Sequence, residues 1–344
     1  MYNVYQDLKR RFISDLKLPI GITEEPHFRY FLNLYEKEWK AETKWNELNR
    51  LIDDKFNYNP QLFLEEYYKI RDNIITTIEN SEAYKRFNEC DMNKYSIGKM
   101  NVSSNNIYNN LNIGKRFLSI DLKKANFQAL KFVDPNIVLG AETYEYFIGN
   151  FTDLDYVKES KYTRQVIFGK LNPKRHITVE KYIMKSILDY IKENLPSFND
   201  FTLVSFANDE IVFEIGENHE DRRGLADQIK KDTGFYVSVE EFRLYGLQLK
   251  SSTTFDDLPT VYFKLFDDNT KKMKGCPLPY HAVAYKKLHG MVTNSHDYCF
   301  KYENTLCTFC EQFEADILFC PKQKHVDNLV KSNNERPIIY SDNN

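Results

Sequence analysis

The stretch Phe201-Thr202-Leu203-Val204-Ser205-Phe206-Ala207-Asn208-Asp209-Glu210-Ile211-Val212-Phe213-Glu214-Ile215 restricts the fold of this chain more than any other. Two apolar runs flank a polar centre, Asn208-Asp209-Glu210. Val, Ile and Phe on both sides are strand residues, and Asn-Asp is turn chemistry. The pattern predicts a core β-hairpin with two carboxylates at its tip. A carboxylate drawn away from water is costly unless a cation or hydrogen bonds compensate, and a divalent metal is one such cation. The plainer reading is an acidic turn in solvent.

A second apolar run sharpens the choice. Phe117-Leu118-Ser119-Ile120 leads directly into Asp121, and residues 122–130 then follow helical spacing. A strand ending in Asp beside a hairpin tipped with Asp-Glu would bring carboxylates from separate elements to one place. Such acids suit a pair of metal ions that activates an attacking oxygen and steadies a leaving one in phosphoryl transfer.

Three segments together resemble family A DNA polymerases. Residues 121–130 resemble motif A, in which an Asp ends a palm strand. Ser160-Lys161-Tyr162-Thr163-Arg164-Gln165-Val166-Ile167-Phe168-Gly169 is similar to motif B, the fingers helix. Asn208-Asp209-Glu210-Ile211-Val212-Phe213-Glu214 resembles motif C. The order is the family's, and the likeness covers roughly residues 95–250. It implies an α+β fold: a polymerase-type palm with an antiparallel sheet, short helical fingers and a helical, thumb-like region over residues 1–95. It implies Asp121 and Asp209 as holders of two Mg²⁺ or Mn²⁺ ions, with Glu210 in support. Arg164 and Lys161 would meet the triphosphate, Phe168 would stack on the incoming base, and Asn126 would lie near its sugar.

The departures from the family pattern are specific. Asn208 replaces a His, and Arg164 replaces a Lys, keeping the charge but not the ready proton donor. Asn126 stands where the family has the Glu that excludes a ribose 2′-OH, which implies tolerance of ribonucleotides. Only 88 positions separate Asp121 from Asp209, fewer than the family's interval. The implied activity is a compact template-dependent polymerase or primase acting on a DNA or RNA template-primer with nucleoside triphosphates, beside replication proteins. Two alternatives stay open: a non-catalytic nucleic-acid-binding subunit on a degenerate palm, and a nucleotidyltransferase that needs no template.

The remaining expectations are coarser. With 344 residues, 42% of them hydrophobic, the chain can bury one large core or two to three smaller ones. No long apolar run suggests a membrane span, and the first residues lack a signal-peptide pattern, so an intracellular, cytoplasmic protein is expected. Abundant Asn, Lys, Tyr and Ile suits an AT-rich genome such as a phage, virus or plasmid carries. Residues 39–55 and 61–79 are predicted helices. Lys9-Arg10-Arg11 is expected to be a solvated face, and residues 170–176 either a basic loop that contacts nucleotide or template or a solvated loop ended by Pro173. After motif C, residues 219–231 are expected as a helix and 235–242 as a strand.

Residues 251–344 are expected to form a small α/β module: strands over 260–266 and 271–275, a helix over 279–290 and a loose tail from about 332. Five of the six Cys lie beyond residue 275. Cys307-Thr308-Phe309-Cys310 has the spacing of a zinc knuckle, and Cys299, Cys307, Cys310 and Cys320 make the best tetrahedral set for a structural Zn²⁺. His325, His296 and Cys276 are other candidates for the fourth ligand. Reduced cysteines serving as small apolar side chains are the alternative.

Overall fold

The computed structural model describes residues 3–102, 106–217, 222, 224–251 and 258–318. The chain forms two compact units, and it passes between them more than once. One comprises residues 1–99 and 122–187, the other residues 100–121 and 188–344.

The first unit is helical. It contains α1 (Val4–Leu16), α2 (His27–Leu34), α3 (Glu36–Trp39), α4 (Ala41–Phe56), α5 (Pro60–Asn80) and α6 (Glu82–Glu89). After residue 121 the chain adds α7 (Ala125–Val133), α8 (Tyr144–Gly149), α9 (Asp155–Glu159), α10 (Lys161–Lys170) and the beginning of α11 (Pro173–Asn194). Local sequence explains the ends. Asn59 caps α5 by accepting from the backbone N–H groups of Gln61 and Leu62, with Pro60 in the first turn. Ser160 caps α10 through the N–H of Thr163. Phe63, Tyr67, Ile70, Ile74 and Ile78 fall on one buried stripe of α5. α1, α5 and α10 pack on one another.

A buried carboxylate joins those three helices. Asp15 of α1 accepts hydrogen bonds from the hydroxyls of Tyr67 (2.6 Å), Ser160 (2.8 Å) and Tyr156 (2.9 Å). The Arg11 guanidinium stands 4.0 Å away and lies over the rings of Tyr67 and Tyr162. The expected solvated face at Lys9-Arg10-Arg11 therefore holds for Arg10 alone. Lys9 is buried and donates to the Thr23 carbonyl and to Glu25. The basic loop expected over 170–176 is likewise shorter, because Pro173 begins α11 rather than ending a loop. Its fixed φ and missing N–H suit a first helical turn.

The second unit is built on an antiparallel sheet. β1 (Arg116–Leu122), β2 (Thr202–Phe206), β3 (Glu210–Ile215), α12 (Leu225–Thr233) and β4 (Val237–Lys250) follow in chain order. The strands stand in the order β2-β3-β1-β4. With helices between β1 and β2 and between β3 and β4, this is the β-α-β-β-α-β split arrangement. The sheet continues through β5 (Thr260–Leu265) and β6 (Lys271–Lys274), and β9 (Glu314–Leu318) also pairs with β4. The module boundary expected at residue 250 thus falls inside one sheet. β4 runs on well past the expected end at 242 because alternate residues Tyr245, Leu247 and Leu249 keep a buried face.

The two sheet faces differ. Tyr245, Leu247, Leu249, Val261 and Phe263 form a core with Ala284 and Leu288 of α13 (His281–Leu288), and α12 packs against β4. On the opposite face Phe117, Val204, Val212, Phe242 and Leu244 cluster under Ile107 and Tyr108. β7 (Cys299–Tyr302) and β8 (Thr305–Thr308) make a separate hairpin. Tyr298 and Phe313, which flank it in sequence, pack with Val283 of α13. Among the described residues no helix is long and apolar enough to cross a membrane.

Candidate active site

The register of β1 on β3 builds the site. The pairs run Phe117↔Glu214, Ser119↔Val212 and Asp121↔Glu210, so Asp121 and Glu210 are direct cross-strand neighbours on one face. Val, Ile and Phe fix this register, since a slip of one residue would turn both apolar sets to the wrong side. β2 and β3 are joined by a tight turn in which the Ala207 N–H donates to the Glu210 carbonyl at 2.8 Å. Asp209 sits in that turn, beside the strand ends carrying Asp121 and Glu210.

Second-strand residues hold these acids. Ser119 of β1 donates its hydroxyl to Glu210 Oε1. Ser238 of β4 lies 3.4 Å from Asp121 Oδ2 and donates to it. Burial, then the charges of Asp209 and Glu210, push the Asp121 carboxyl up to about 6, and Glu240 adds to the push. Four carboxylates therefore act on one another at the end of this sheet face. The Tyr108 hydroxyl is also shifted upward, by burial and by Glu210 and Glu240.

Glu240 is different because cations answer it. Burial works to raise its pKa, but Lys264 at 2.7 Å and Lys272 at 3.2 Å outweigh that and leave it lowered. No comparable cation reaches Asp121 among its principal electrostatic neighbours. A carboxyl raised by neighbouring carboxylates is what a divalent cation would reverse, so the donor set Asp121, Asp209 and Glu210 fits Mg²⁺ or Mn²⁺ by its oxygen chemistry. Among the described residues no three His, Cys, Asp or Glu side chains already stand together as a closed metal cage.

The residues expected to meet the nucleotide lie in the helical unit. Arg164 of α10 is half-buried and rests over the Tyr144 ring at 5.5 Å. Lys124 pairs with Glu145, and burial followed by the charge of Arg164 lowers its pKa. Lys161 is exposed at the start of α10. Asn126 donates its amide to Glu180 Oε1 at 2.6 Å, and Glu180 is only 4% exposed. Phe168 departs from expectation. It is buried, with its ring against Tyr144 and His176, and it serves as a core side chain rather than an open stacking platform.

The zinc set does not assemble among the described residues. Cys299 pairs with Thr308, and Cys307 pairs with Phe300. Side chains of adjacent register positions alternate across a hairpin, so Cys299 and Cys307 project from opposite faces. Cys310 is exposed in the segment after β8, and Cys320 and His325 lie outside the described residues. Cys276 behaves as a buried thiol, its pKa pushed up to about 12 by burial alone.

Comparison with protein-family models, curated proteins and solved structures finds no match.

Ser119, Ser238, Glu240, Glu180, Tyr144 and the lysines of β5 and β6 were not singled out from sequence. The one signal available was alternation: Lys272 and Lys274 stand two positions apart on β6, the mark of a shared face, and the pairing of Lys264 with Lys272 adds β5 to it.

Proposed function

We propose that this protein is a two-metal nucleotidyltransferase, a compact template-dependent polymerase or primase. The observation that carries the reading is the pairing of Asp121 with Glu210 across β1 and β3, with Asp209 in the adjoining turn. The split βαβ order of strands supports it, as do three sequence segments that resemble the family's motifs in the family's order.

In this reading Asp121 and Asp209 hold the two ions. Mg²⁺ or Mn²⁺ would supply a lowered pKa for a 3′-hydroxyl and charge balance on the leaving pyrophosphate. The chain's own residues prepare the place. Ser119 and Ser238 restrain the carboxylates Glu210 and Asp121 through their hydroxyls, so that the acids need little reorganisation. Arg164 and Lys161 would meet the triphosphate, and Asn126, bonded to Glu180, would lie near the sugar. Nucleic acid and nucleoside triphosphates are the partners that this chemistry requires.

A primed template with Mg²⁺ or Mn²⁺ and either dNTPs or NTPs, run beside Asp209→Ala, tests the proposal. Unprimed and template-free lanes are included. Extension by the parent and none by the variant supports it. The rival is a non-catalytic binding subunit, favoured by Asn208 in place of the family's His and by the short interval between Asp121 and Asp209. Retained nucleic-acid binding with no product in any lane would select that rival.

A further inference from the structure

The acid-bearing face of the sheet continues onto β5 and β6, outside the stretch that resembles a polymerase. Leu244 of β4 pairs with Lys264 of β5, and Lys264 pairs with Lys272 of β6. Lys274 is two residues further along and pairs with Tyr262. Strand alternation puts Lys264, Lys272, Lys274 and Tyr262 on the face that carries Phe242 and Leu244. Direct contacts agree. The Lys264 amino group lies over the Phe242 ring at 4.1 Å, and both Lys264 and Lys272 bond to Glu240.

The charges on this face do not balance. Glu240 answers two of the lysines, and the third, Lys274, makes no ion pair among the described residues. Lys274 is nonetheless half-buried, with Lys264 and Lys272 acting on it as like charges and Glu240 and Glu210 acting in the opposite sense. Burial, then those two cations, lowers its pKa. Half-burial and two like charges hold Lys274 at a cost that a further anion would relieve. Tyr108 and Tyr262 lie together on the same face, ring centroids 6.5 Å apart.

We propose that Lys272 and Lys274, with the buried Lys264 tying down Glu240 beside them, form a seat for the phosphate backbone of a single nucleic-acid strand whose end reaches the acids at Asp121 and Asp209. The inference rests on the nucleotidyltransferase reading for the role of that end, and on the lysines alone for the binding. Two cations about 7 Å apart along one strand track successive phosphates better than one compact anion. The neighbouring tyrosines offer stacking surface to its bases. Glu240 links the seat to the acid group, since it bonds to Lys264 and Lys272 and acts electrostatically on Asp121.

The test is fluorescence anisotropy of the full chain with a labelled single-stranded oligothymidylate in EDTA, over a range of salt concentrations. Lys272→Ala/Lys274→Ala is compared with Lys272→Arg/Lys274→Arg, the parent and Asp209→Ala. Each lost phosphate contact should flatten the slope of log affinity against log salt by about 0.7, so the double alanine variant should lose about 1.4 and bind about tenfold more weakly at low salt. The arginine pair should retain the parental slope, and Asp209→Ala should bind at least as tightly as the parent in EDTA, because it removes a like charge from the place where the strand ends. An unchanged slope in the alanine pair overturns the proposal. So does unchanged oligonucleotide binding accompanied by weakened nucleoside triphosphate binding, which would assign the lysines to the nucleotide. Because no synthesis is required, a changed slope in a protein that makes no product keeps the seat and removes only the enzyme reading.

Discussion

Asp121→Asn isolates the electrostatic cost of the acid group. Asp121 is raised from the ordinary 3.8 to about 6, with burial as the first cause and Asp209 and Glu210 next. A folded pKa above the unfolded one means that the folded chain holds the proton more tightly. Stability must then fall as pH rises through this window. The penalty is absent below 3.8, about half developed near pH 5, and complete above about 6. At about 1.4 kcal/mol per unit, the shift corresponds to about 3 kcal/mol at face value. Asp121 remains partly open to water, and solvent screening brings the expected figure to about 1–2 kcal/mol. Asparagine keeps the shape and an acceptor for Ser238 while removing the charge. In EDTA above pH 7, Asp121→Asn should therefore be more stable than the parent by that amount in urea denaturation, and the gain should shrink towards pH 5. Mn²⁺ should stabilise the parent and leave the variant nearly unmoved. A variant less stable than the parent at pH 8 in EDTA, or one that gains as much from Mn²⁺, would refute the reasoning.

Asp15→Ala should cost about 3–5 kcal/mol, measured by urea denaturation, because it strands Arg11 and three hydroxyl donors around a buried position. His176 lies buried with its pKa lowered to about 4 by burial, and neither ring nitrogen has a hydrogen-bond partner among the described residues. The unfolded chain binds the proton more readily, so stability is lost as pH falls from 6.5 towards 4; His176→Phe should flatten that limb of a pH–stability profile. If the protein polymerises nucleotides, Glu180→Ala should raise the ratio of ribonucleotide to deoxynucleotide incorporation severalfold, because Glu180 brings a carboxylate to the place that Asn126 left uncharged. Steady-state kcat/KM for the paired nucleotides reads this directly, and an unchanged ratio would remove Glu180 from sugar selection.

Alternation and helical periodicity carried much of the fold into view. The hairpin around Asp209, the helix after Asp121 and the strands over 260–274 follow from local patterns, and α10 was expected from the resemblance to motif B. Other features depended on pairings that no local pattern encodes. That Asp121 faces Glu210 is a register between segments about 90 residues apart. That β5 and β6 extend the same sheet depends on a β4 longer than its first apolar run suggested. Cysteine spacing is limited for a related reason. A Cys-x-x-Cys interval describes distance along the chain, whereas β7 and β8 decide which sulfur faces which side. Phe168 reads as a ligand platform in a motif, but its ring fills the space between Tyr144 and His176.

The carboxylate of Asp15 sets a limit on how this protein can be divided. Ser160 caps the helix that carries Arg164 and is at the same time bonded to Asp15, a residue of the first helix. Tyr156, on the preceding helix, shares the acceptor. A fragment begun at residue 96 would keep every segment that resembles a polymerase motif, yet it would leave those two hydroxyls facing an empty position. Such a truncated chain should lose the orientation of α10, so the first helices are part of the folding unit that positions Arg164 and not a detachable appendage.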